Sequence, residues 1–317
     1  MGSRVPCPIL LGQLLRRLPV IGSLMVAGCA PRAQRELELH EVAVVQMPPL
    51  SAVRGANVNA DGDVIVWTDS SVAVFGTKSG SITIVCPNSR RLPVAAAFAP
   101  HGAIEVVDSV SSTVGRRTAD GECANLFRVA GNVAVVSGVR LTMGWVLGVV
   151  DSLGRQGFVG VDSAGEHGWE VWAAGVPGDP RMSAAAQLTL AAPNRFVATS
   201  IRWPFSWISY GWGSVGSDSG SFLPIAKEGV TSAVTPRWAG LPTIALDSGF
   251  LQVLADPSSD ARILVRYDEH GKPERASLLD GALGMMSSLP SARLVVGLRR
   301  TDRLEVVVYG WGWRRRR

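Results

Sequence analysis

"VNADGDVIVWTDSSVAVFGTKSG", residues 58–80, and "AFAPHGAIEVVDSVSSTVGRRTADGE", residues 97–122, share one order of features. Each stretch has an apolar lead-in, a turn ending in Gly and a strand with Val or Ile at alternate positions. An Asp and a Ser-Ser pair follow, and then a second strand and a polar turn. Self-similarity at this spacing indicates a fold that is built from repeated supersecondary units.

Weaker copies of this pattern follow along the chain. They lie at residues 142–166, 188–200, 244–272 and 286–311. The turns of the six copies fall near residues 62, 102, 144, 194, 249 and 292. Steps of about 40 to 55 residues match one four-stranded blade each, so the spacing predicts a six-bladed β-propeller.

The composition agrees with an all-β fold. The chain contains 35 glycines and 19 prolines between short runs of Val, Ile and Thr, and no stretch after Cys29 keeps a helical period with start and stop signals. The predicted strands are 41–47, 64–68, 72–75, 81–85, 104–107, 133–136, 158–161, 196–199, 251–254, 263–267, 294–298 and 304–309. A two-sheet β-sandwich with accidental spacing is the alternative.

The ends of the repeat region indicate how the ring closes. The last copy has room for about three strands, whereas the segment 41–47 precedes the first full copy and has no blade of its own. An N-terminal strand that completes the last blade would close the ring and cover both sheet edges. The propeller is therefore predicted to span residues 41–313.

The two strongest copies resemble the repeats of NHL-type and TolB-like six-bladed β-propellers. In those repeats a turn of the form Asp-x-Asp-Gly precedes a strand that ends in Asp; residues 59–69 here have Asn59 in place of the first Asp and end in Asp69. The resemblance spans most of residues 41–313 but is clear in only two copies. It implies the architecture rather than membership of one family.

The first 28 residues have the features of an export signal. Three arginines and no acidic residue precede a short apolar run, Leu18–Ala27. Arg16 and Arg17 interrupt the apolar residues, so neither side approaches the roughly 20 apolar residues that a spanning helix needs. The segment Val26–Cys29 resembles the lipobox of bacterial lipoproteins, which implies cleavage before Cys29 and acylation of its thiol. An ordinary signal peptide and a core segment with a chance cysteine are the alternatives.

These patterns predict four segments and one location. Residues 1–28 are a signal peptide, 29–40 a lipidated linker, 41–313 the propeller and 314–317 a basic tail. The expected location is the bacterial cell envelope, with a lipid anchor. Ala30 follows the cysteine in place of the Asp that resembles an inner-membrane retention signal in some bacteria, which favours the outer membrane.

The net charge of +5 comes from the two ends of the chain. Of 31 basic residues against 26 acidic ones, three arginines lie in residues 1–28 and four in Arg314–Arg317, which leaves 24 basic residues in the body. Nucleic-acid binding requires basic residues spread over a surface that faces the nucleic acid, so it is excluded. Cys86 and Cys123 remain as a candidate disulfide pair, although sequence spacing cannot show that they come within bonding range.

No catalytic or metal-binding residue is predicted. His101, His167 and His270 each precede a glycine, and we interpret all three as turn residues. The match of residues 211–216 to G-x-G-x-x-G runs into a second loop instead of a helix, which is unsuitable for a dinucleotide. The common signatures of serine hydrolases, P-loop proteins and zinc proteases are absent.

An aromatic segment suggests a binding rim. Its candidate residues are Trp203, Trp207, Tyr210 and Trp212, in a copy that is extended by a Ser/Gly-rich stretch to about Trp238. Aromatic side chains on long loops can bind sugars, peptides or a partner surface. The alternative is that they pack between neighbouring blades as core residues.

The expected function is a membrane-anchored binding module, with an envelope protein, a small molecule or a glycan as partner and no cofactor. The alternative is a metal-dependent hydrolase that resembles gluconolactonases, for which Ca²⁺ would be the expected ion. Asp69, Asp108, Asp151 and Asp162 lie near strand ends and raise this alternative. Their recurrence at one place in successive copies predicts a turn-stabilising role instead.

Overall fold

The computed structural model describes residues 35–47, 53–85, 92–118, 120–172, 187–199, 206–213, 218–221, 239–255, 262–279, 284–300 and 303–315. The regular elements in these ranges are 24 β-strands and two short 3₁₀ turns, Pro100–Gly102 and Pro290–Ala292. In the same ranges no helix is long and apolar enough to cross a membrane.

The strands form six separate four-stranded sheets, which we number as blades. Blade 1 contains β2 (Val53–Val58), β3 (Val64–Thr68), β4 (Val72–Gly76) and β5 (Ser81–Val85). Blade 2 contains β6 (Pro93–Phe98), β7 (Ile104–Asp108), β8 (Thr113–Arg117) and β9 (Cys123–Arg128). Blade 3 contains β10 (Val133–Arg140), β11 (Gly144–Asp151), β12 (Gln156–Asp162) and β13 (His167–Trp172).

The second half of the chain forms the other three blades. Blade 4 contains β14 (Gln187–Ala192), β15 (Arg195–Thr199), β16 (Ser206–Gly211) and β17 (Asp218–Ser221). Blade 5 contains β18 (Ala239–Ala245), β19 (Phe250–Ala255), β20 (Arg262–Tyr267) and β21 (Pro273–Leu279). Blade 6 contains β22 (Gly284–Leu289), β23 (Leu294–Arg300), β24 (Leu304–Arg315) and β1 (Arg35–Gln46).

The first strands of the blades form a closed ring. β2, β6, β10, β14, β18 and β22 each contact the next in this order, and β22 contacts β2. Six antiparallel sheets around a ring of inner strands make a six-bladed β-propeller. The predicted fold class is confirmed, and the two-sheet sandwich alternative is wrong.

The N-terminal strand completes blade 6. β1 is the outermost strand and pairs with β24, and the backbone N–H of Met47 donates to the carbonyl of Leu304 at 2.9 Å. The predicted closure is therefore confirmed. β1 begins at Arg35, so residues 35–40 of the predicted linker belong to a strand. β24 likewise includes Arg314 and Arg315 of the predicted tail.

The chain divides into two compact units. Residues 39–312 form one unit, which contains the propeller. Residues 1–38 and 313–317 form the other, of which the structure describes only residues 35–38 and 313–315. The predicted signal peptide therefore lies outside the described residues.

Apolar side chains from adjacent blades pack together in shared core clusters. Val64 and Phe75 of blade 1 pack with Val306 of blade 6, in one such cluster. Phe158 of blade 3 packs with Phe196 of blade 4 in another, with ring centroids 6.0 Å apart. The strands were predicted from Val and Ile at alternate positions. These residues form the packed faces, because successive side chains point to opposite sides of a sheet.

All six predicted turns lie between the first and second strands of their blades. Several hairpins use a five-residue turn in which an Asp or Asn caps the backbone and a glycine has positive φ. In the turn 162–166, Oδ1 of Asp162 accepts the N–H groups of Ala164 and Glu166 at 2.9 and 2.8 Å, and Gly165 has φ +89°. Only glycine adopts that backbone geometry without steric cost.

Candidate functional site

A cavity of about 310 Å³ lies at one end of the ring. Its wall is formed by the turns that follow the inner strands of blades 2, 3, 4 and 6. The lining residues are Phe98, Ala99, Pro100, Arg140, Leu141, Thr142, Leu190, Ala192, Pro193, Leu289, Pro290 and Ser291. We call this cavity the channel-mouth cavity.

Three of its four turns carry a proline one or two residues after the end of the inner strand. Pro100 and Pro290 open 3₁₀ turns, and Pro193 follows the last residue of β14. Proline fixes φ and has no N–H, so these positions present rigid apolar surface without a backbone donor. The turn of blade 3 is tied to the turn of blade 4, because the N–H of Thr142 donates to the carbonyl of Pro193 at 2.8 Å.

Arg140 is the one charged side chain among the lining residues. It is the last residue of β10 and only 8% exposed. Its Nε donates to Oε2 of Glu105 at 3.0 Å, and its Nη1 donates to the carbonyl oxygen of Leu141. These contacts fix the guanidinium in the wall of the cavity.

Glu105 accepts, through its buried carboxylate, a hydrogen bond that positions Arg140. It lies on β7, is 2% exposed, and accepts hydrogen bonds from Arg116 Nη2 at 2.7 Å and from Trp145 Nε1 at 2.7 Å, besides that from Arg140. Burial alone raises the pKa of Glu105, but these hydrogen bonds and the charge of Arg140 outweigh it and hold the pKa below its ordinary value. The carboxylate is therefore charged at neutral pH.

The charges of this cluster do not cancel. Arg116 and Arg140 are two guanidinium groups that share the single carboxylate of Glu105. Arginine stays protonated in proteins, so the cluster keeps one formal positive charge beside the cavity. The apolar wall lowers the local dielectric, which strengthens the effect of that charge.

The aromatic residues that were candidates for a binding rim are in part core residues. Trp207 is 3% exposed and packs with Phe250 between blades 4 and 5, and Tyr210 is 1% exposed and stacks on Phe196. The rim interpretation is wrong for these two side chains, because neither can reach a ligand in solvent. Trp212 is half-buried, and Trp203 lies outside the described residues.

The four aspartates stabilise turns or pair with cations. Asp151 accepts the N–H groups of Leu153 and Arg155 at 2.9 and 2.8 Å, in the same way as Asp162. Oδ1 of Asp108 accepts the N–H of Leu92 at 2.9 Å, and Asp69 pairs with Arg54. The interpretation that these residues have structural roles agrees with these contacts.

The structure shows no cluster of ligating carboxylates for the hydrolase alternative among the residues that it describes. Across the described ranges, no group of three or more His, Cys, Asp or Glu side chains comes close enough to hold a metal ion. Calcium requires six to eight oxygen ligands, most of them carboxylate or carbonyl groups. The carboxylates named above are already engaged by backbone N–H groups or arginines.

Two of the three histidines that precede a glycine lie in turns, and the third begins a strand. His101 has φ +61° inside the turn of blade 2, and His270 lies in the turn between β20 and β21, as predicted. His167 is the first residue of β13 and not a turn residue, so that prediction is wrong. Its Nε2 lies 3.7 Å from Oε2 of Glu170 on the same strand.

The cysteine predictions are tested only in part. Cys123 begins β9 and is disulfide-bonded. Cys86 and Cys29 lie outside the described residues. The pairing of Cys86 with Cys123 and the acylation of Cys29 therefore stay predictions.

The sequence reasoning missed the residues that form the cavity. Glu105 interrupts the apolar strand "IEVVD" at 104–108, and Arg140 ends the apolar strand β10. Charged residues inside such strands are seldom buried unless they are paired, which was the available signal. The recurrence of proline in three equivalent turns was a second signal.

Comparison with solved structures places the fold among known propellers. The calcium-binding protein regucalcin from Agrobacterium tumefaciens aligns with a TM-score of 0.56 and 12% identity, over 85% of this chain and 95% of regucalcin. The PQQ-bound aldose sugar dehydrogenase from Streptomyces coelicolor aligns with a TM-score of 0.53 and 12% identity, over 89% of this chain and all (100%) of the dehydrogenase.

A third structure is a catalytically inactive virginiamycin B lyase from Staphylococcus aureus with quinupristin. It has a TM-score of 0.51 and 12% identity, over 86% of this chain and 99% of the lyase. No protein family model matches the chain, and no curated protein sequence is similar to it. At these identities the structural similarity shows a shared fold and no shared activity.

Proposed function

We propose that this protein is an envelope lipoprotein whose propeller binds a small molecule in the channel-mouth cavity. The observation that carries the proposal is the cavity itself, with a volume of about 310 Å³ and one fixed, buried cation in an otherwise apolar and hydroxyl-bearing wall. Ligand sites in proteins combine an apolar lining with a few fixed polar groups, and their volumes begin near ~300 Å³.

Closure of the ring supports a preformed site. The lining turns belong to four different blades, and each blade is packed against its neighbours through buried side chains. Because the blade cores fix the walls of the cavity, the site is already formed before a ligand binds. Such preorganisation reduces the entropic cost of binding.

The envelope part of the proposal rests on the segment Val26–Cys29 and on the position of β1. Arg35, at the start of β1, is only six residue steps from Cys29, because 35 less 29 is six. Six residues span at most about 20 Å, so acylation of Cys29 would hold the propeller close to a membrane surface.

A ligand screen with a cavity-filling variant tests small-molecule binding. The purified full chain is screened by thermal shift against neutral, cationic and anionic small molecules, and hits are retested on Ala192→Trp, which fills the cavity. Ala164→Trp, in the exposed turn between β12 and β13, is the matched control. Hits that bind wild type and Ala164→Trp but not Ala192→Trp support the proposal. A screen without such hits contradicts it.

Substitution of the cysteine tests the envelope location separately. Wild type and Cys29→Ala are expressed in a bacterium with a lipoprotein pathway and compared by membrane fractionation and by incorporation of a labelled fatty acid. Wild type should carry the label and sediment with membranes, and Cys29→Ala should do neither. Unchanged labelling and fractionation of the variant would show that the chain is not a lipoprotein.

A further inference from the structure

We infer that the ligand of the channel-mouth cavity is an organic anion, with its charged group at Arg140 and its apolar body against the proline-bearing turns. This inference rests on the proposed binding function and specifies the ligand class. It follows from the unused hydrogen-bonding capacity of Arg140, from the charge of its cluster and from the nature of the remaining wall.

Not all N–H donors of the Arg140 guanidinium are used by hydrogen bonds to the described residues. A guanidinium has five N–H donors, and Arg140 directs Nε to Glu105 and Nη1 to the carbonyl of Leu141. Within the described part of the chain, its Nη2 has no hydrogen-bond partner. Nη2 does not belong to the buried side-chain atoms without a partner, so it is accessible to solvent, and water or an acceptor group of a ligand can bind its N–H groups.

The cluster favours an acceptor that is charged. One positive charge remains when Arg116 and Arg140 share Glu105, and no carboxylate belongs to the lining residues. A carboxylate or similar anionic group on the ligand would complete two carboxylate–guanidinium pairs. A cationic ligand would place a like charge beside Arg140 in an apolar wall, which is costly.

The rest of the wall favours an apolar body. Leu141, Leu190 and Leu289 lie around the cavity with the three prolines, and the hydroxyl side chains are those of Thr142 and Ser291. A large polar ligand such as a sugar would lose hydrogen bonds to water without recovering them here. A short aliphatic or aromatic chain with one anionic end fits both halves of the site.

Three probes with the same alkyl chain test the ligand class. Octanoate, 1-octanol and octylamine are titrated into the purified full chain by isothermal titration calorimetry. Octanoate should bind about tenfold more tightly than octanol, the factor expected for one charge-assisted hydrogen bond, and octylamine should bind most weakly. Equal or tighter binding of octanol or octylamine would overturn the inference while leaving small-molecule binding intact.

Substitutions locate the charge that is responsible. Arg140→Met should remove the preference for octanoate over octanol, whereas Arg140→Lys should keep part of the preference. Glu105 stays paired in both variants, because Arg116 and Trp145 still donate to it. An unchanged preference in Arg140→Met would overturn the role of Arg140.

A variant outside the cavity keeps the test independent of folding at Arg140. Arg116 does not belong to the lining residues and its side chain is 40% exposed, so Arg116→Met should fold. It should reduce the octanoate preference, because Glu105 then neutralises Arg140 alone. Unchanged preference would overturn the charge argument.

If screen hits bind but none of the three probes does, the inference is wrong and the proposed function stands. If nothing binds in either experiment, the proposed function is wrong as well.

Discussion

Nη1 of Arg299 on β23 lies 2.6 Å from Oε1 of Glu41 on β1, a contact between residues 258 positions apart. Nε of the same guanidinium donates to Oε2 of Glu305 on β24 at 2.9 Å. One arginine therefore crosses three strands of blade 6 and connects the N-terminal strand to the C-terminal ones. The contact lies where the ring is closed without a covalent link.

Loss of this ion-pair network should loosen β1. Arg299→Met is expected to reduce the free energy of unfolding by about 1 kcal/mol, since it removes a part-buried pair with Glu305 and an exposed pair with Glu41 from one network. Hydrogen exchange of the β1 amides should become faster than in wild type. Lys78→Met, which removes an exposed pair with Asp61, is the matched control and should change neither quantity measurably. Equal effects of the two substitutions would contradict the closing role of Arg299.

A glycine under an indole should not tolerate a methyl group. Gly160 on β12 pairs with Trp169 on β13, and a Cβ at residue 160 would lie 2.2 Å from Nε1 of that indole. Gly160→Ala should therefore cost about 1–3 kcal/mol through overpacking, as measured by urea unfolding. Gly312→Ala is the control, because nothing lies within 4 Å of a Cβ there. Similar stabilities of the two variants would contradict the steric argument.

Acid should weaken the protein through Glu105. Its pKa is lower in the folded chain than its ordinary value of 4.5, so the carboxylate stabilises the fold fully above about pH 4.5. This contribution is lost as the pH falls through the lower, folded pKa. Glu105→Gln should unfold at a lower temperature at pH 7 and should lose less further stability on acidification than wild type.

The comparison needs an exposed glutamate as its control. Glu269→Gln, in the turn between β20 and β21, should keep the wild-type pH dependence of the melting temperature. If Glu105→Gln also keeps that dependence below pH 4.5, the ordinary pKa of glutamate, another group controls the acid sensitivity.

The two tryptophans of blade 4 should respond differently to truncation. Trp207→Ala should reduce the free energy of unfolding by about 3–5 kcal/mol, the range for a buried aromatic residue. Trp212 is half-buried and contacts Trp169 edge-on at 6.0 Å, so Trp212→Ala should cost less. Urea unfolding of both variants measures the difference. A small effect at Trp207 would return that side chain to the candidate binding residues.

The fold could be predicted because its signals are local and repeated. Each blade carries its own alternating apolar residues and its own turn, such as the one at Gly62, so six weak signals support the same architecture. The closing strand could be predicted because the last copy of the repeat had room for only about three strands, whereas the segment 41–47 belonged to no other blade. Its start at Arg35 was missed, because charged residues alternate with leucines in "RELEL" and weaken the strand pattern.

The candidate site could not be predicted, because it depends on contacts between blades. Glu105 and Arg140 lie 35 positions apart and meet only when β7 packs beside β10. The fate of Trp207 depended likewise on Phe250 in the next blade. A spacing pattern within one repeat contains no information on which face the adjoining blade will cover.

Closure by β1 also determines when the protein can finish folding. β1 is synthesised before all the other strands of the propeller, but its partner β24 spans Leu304–Arg315, so blade 6 cannot be completed until the other five blades have been synthesised. Until then β1 presents an unpaired edge with the exposed apolar residues Val42 and Val44. Blades 1 to 5 can form in the order of synthesis, and the interval before blade 6 forms is the period in which aggregation is the main risk.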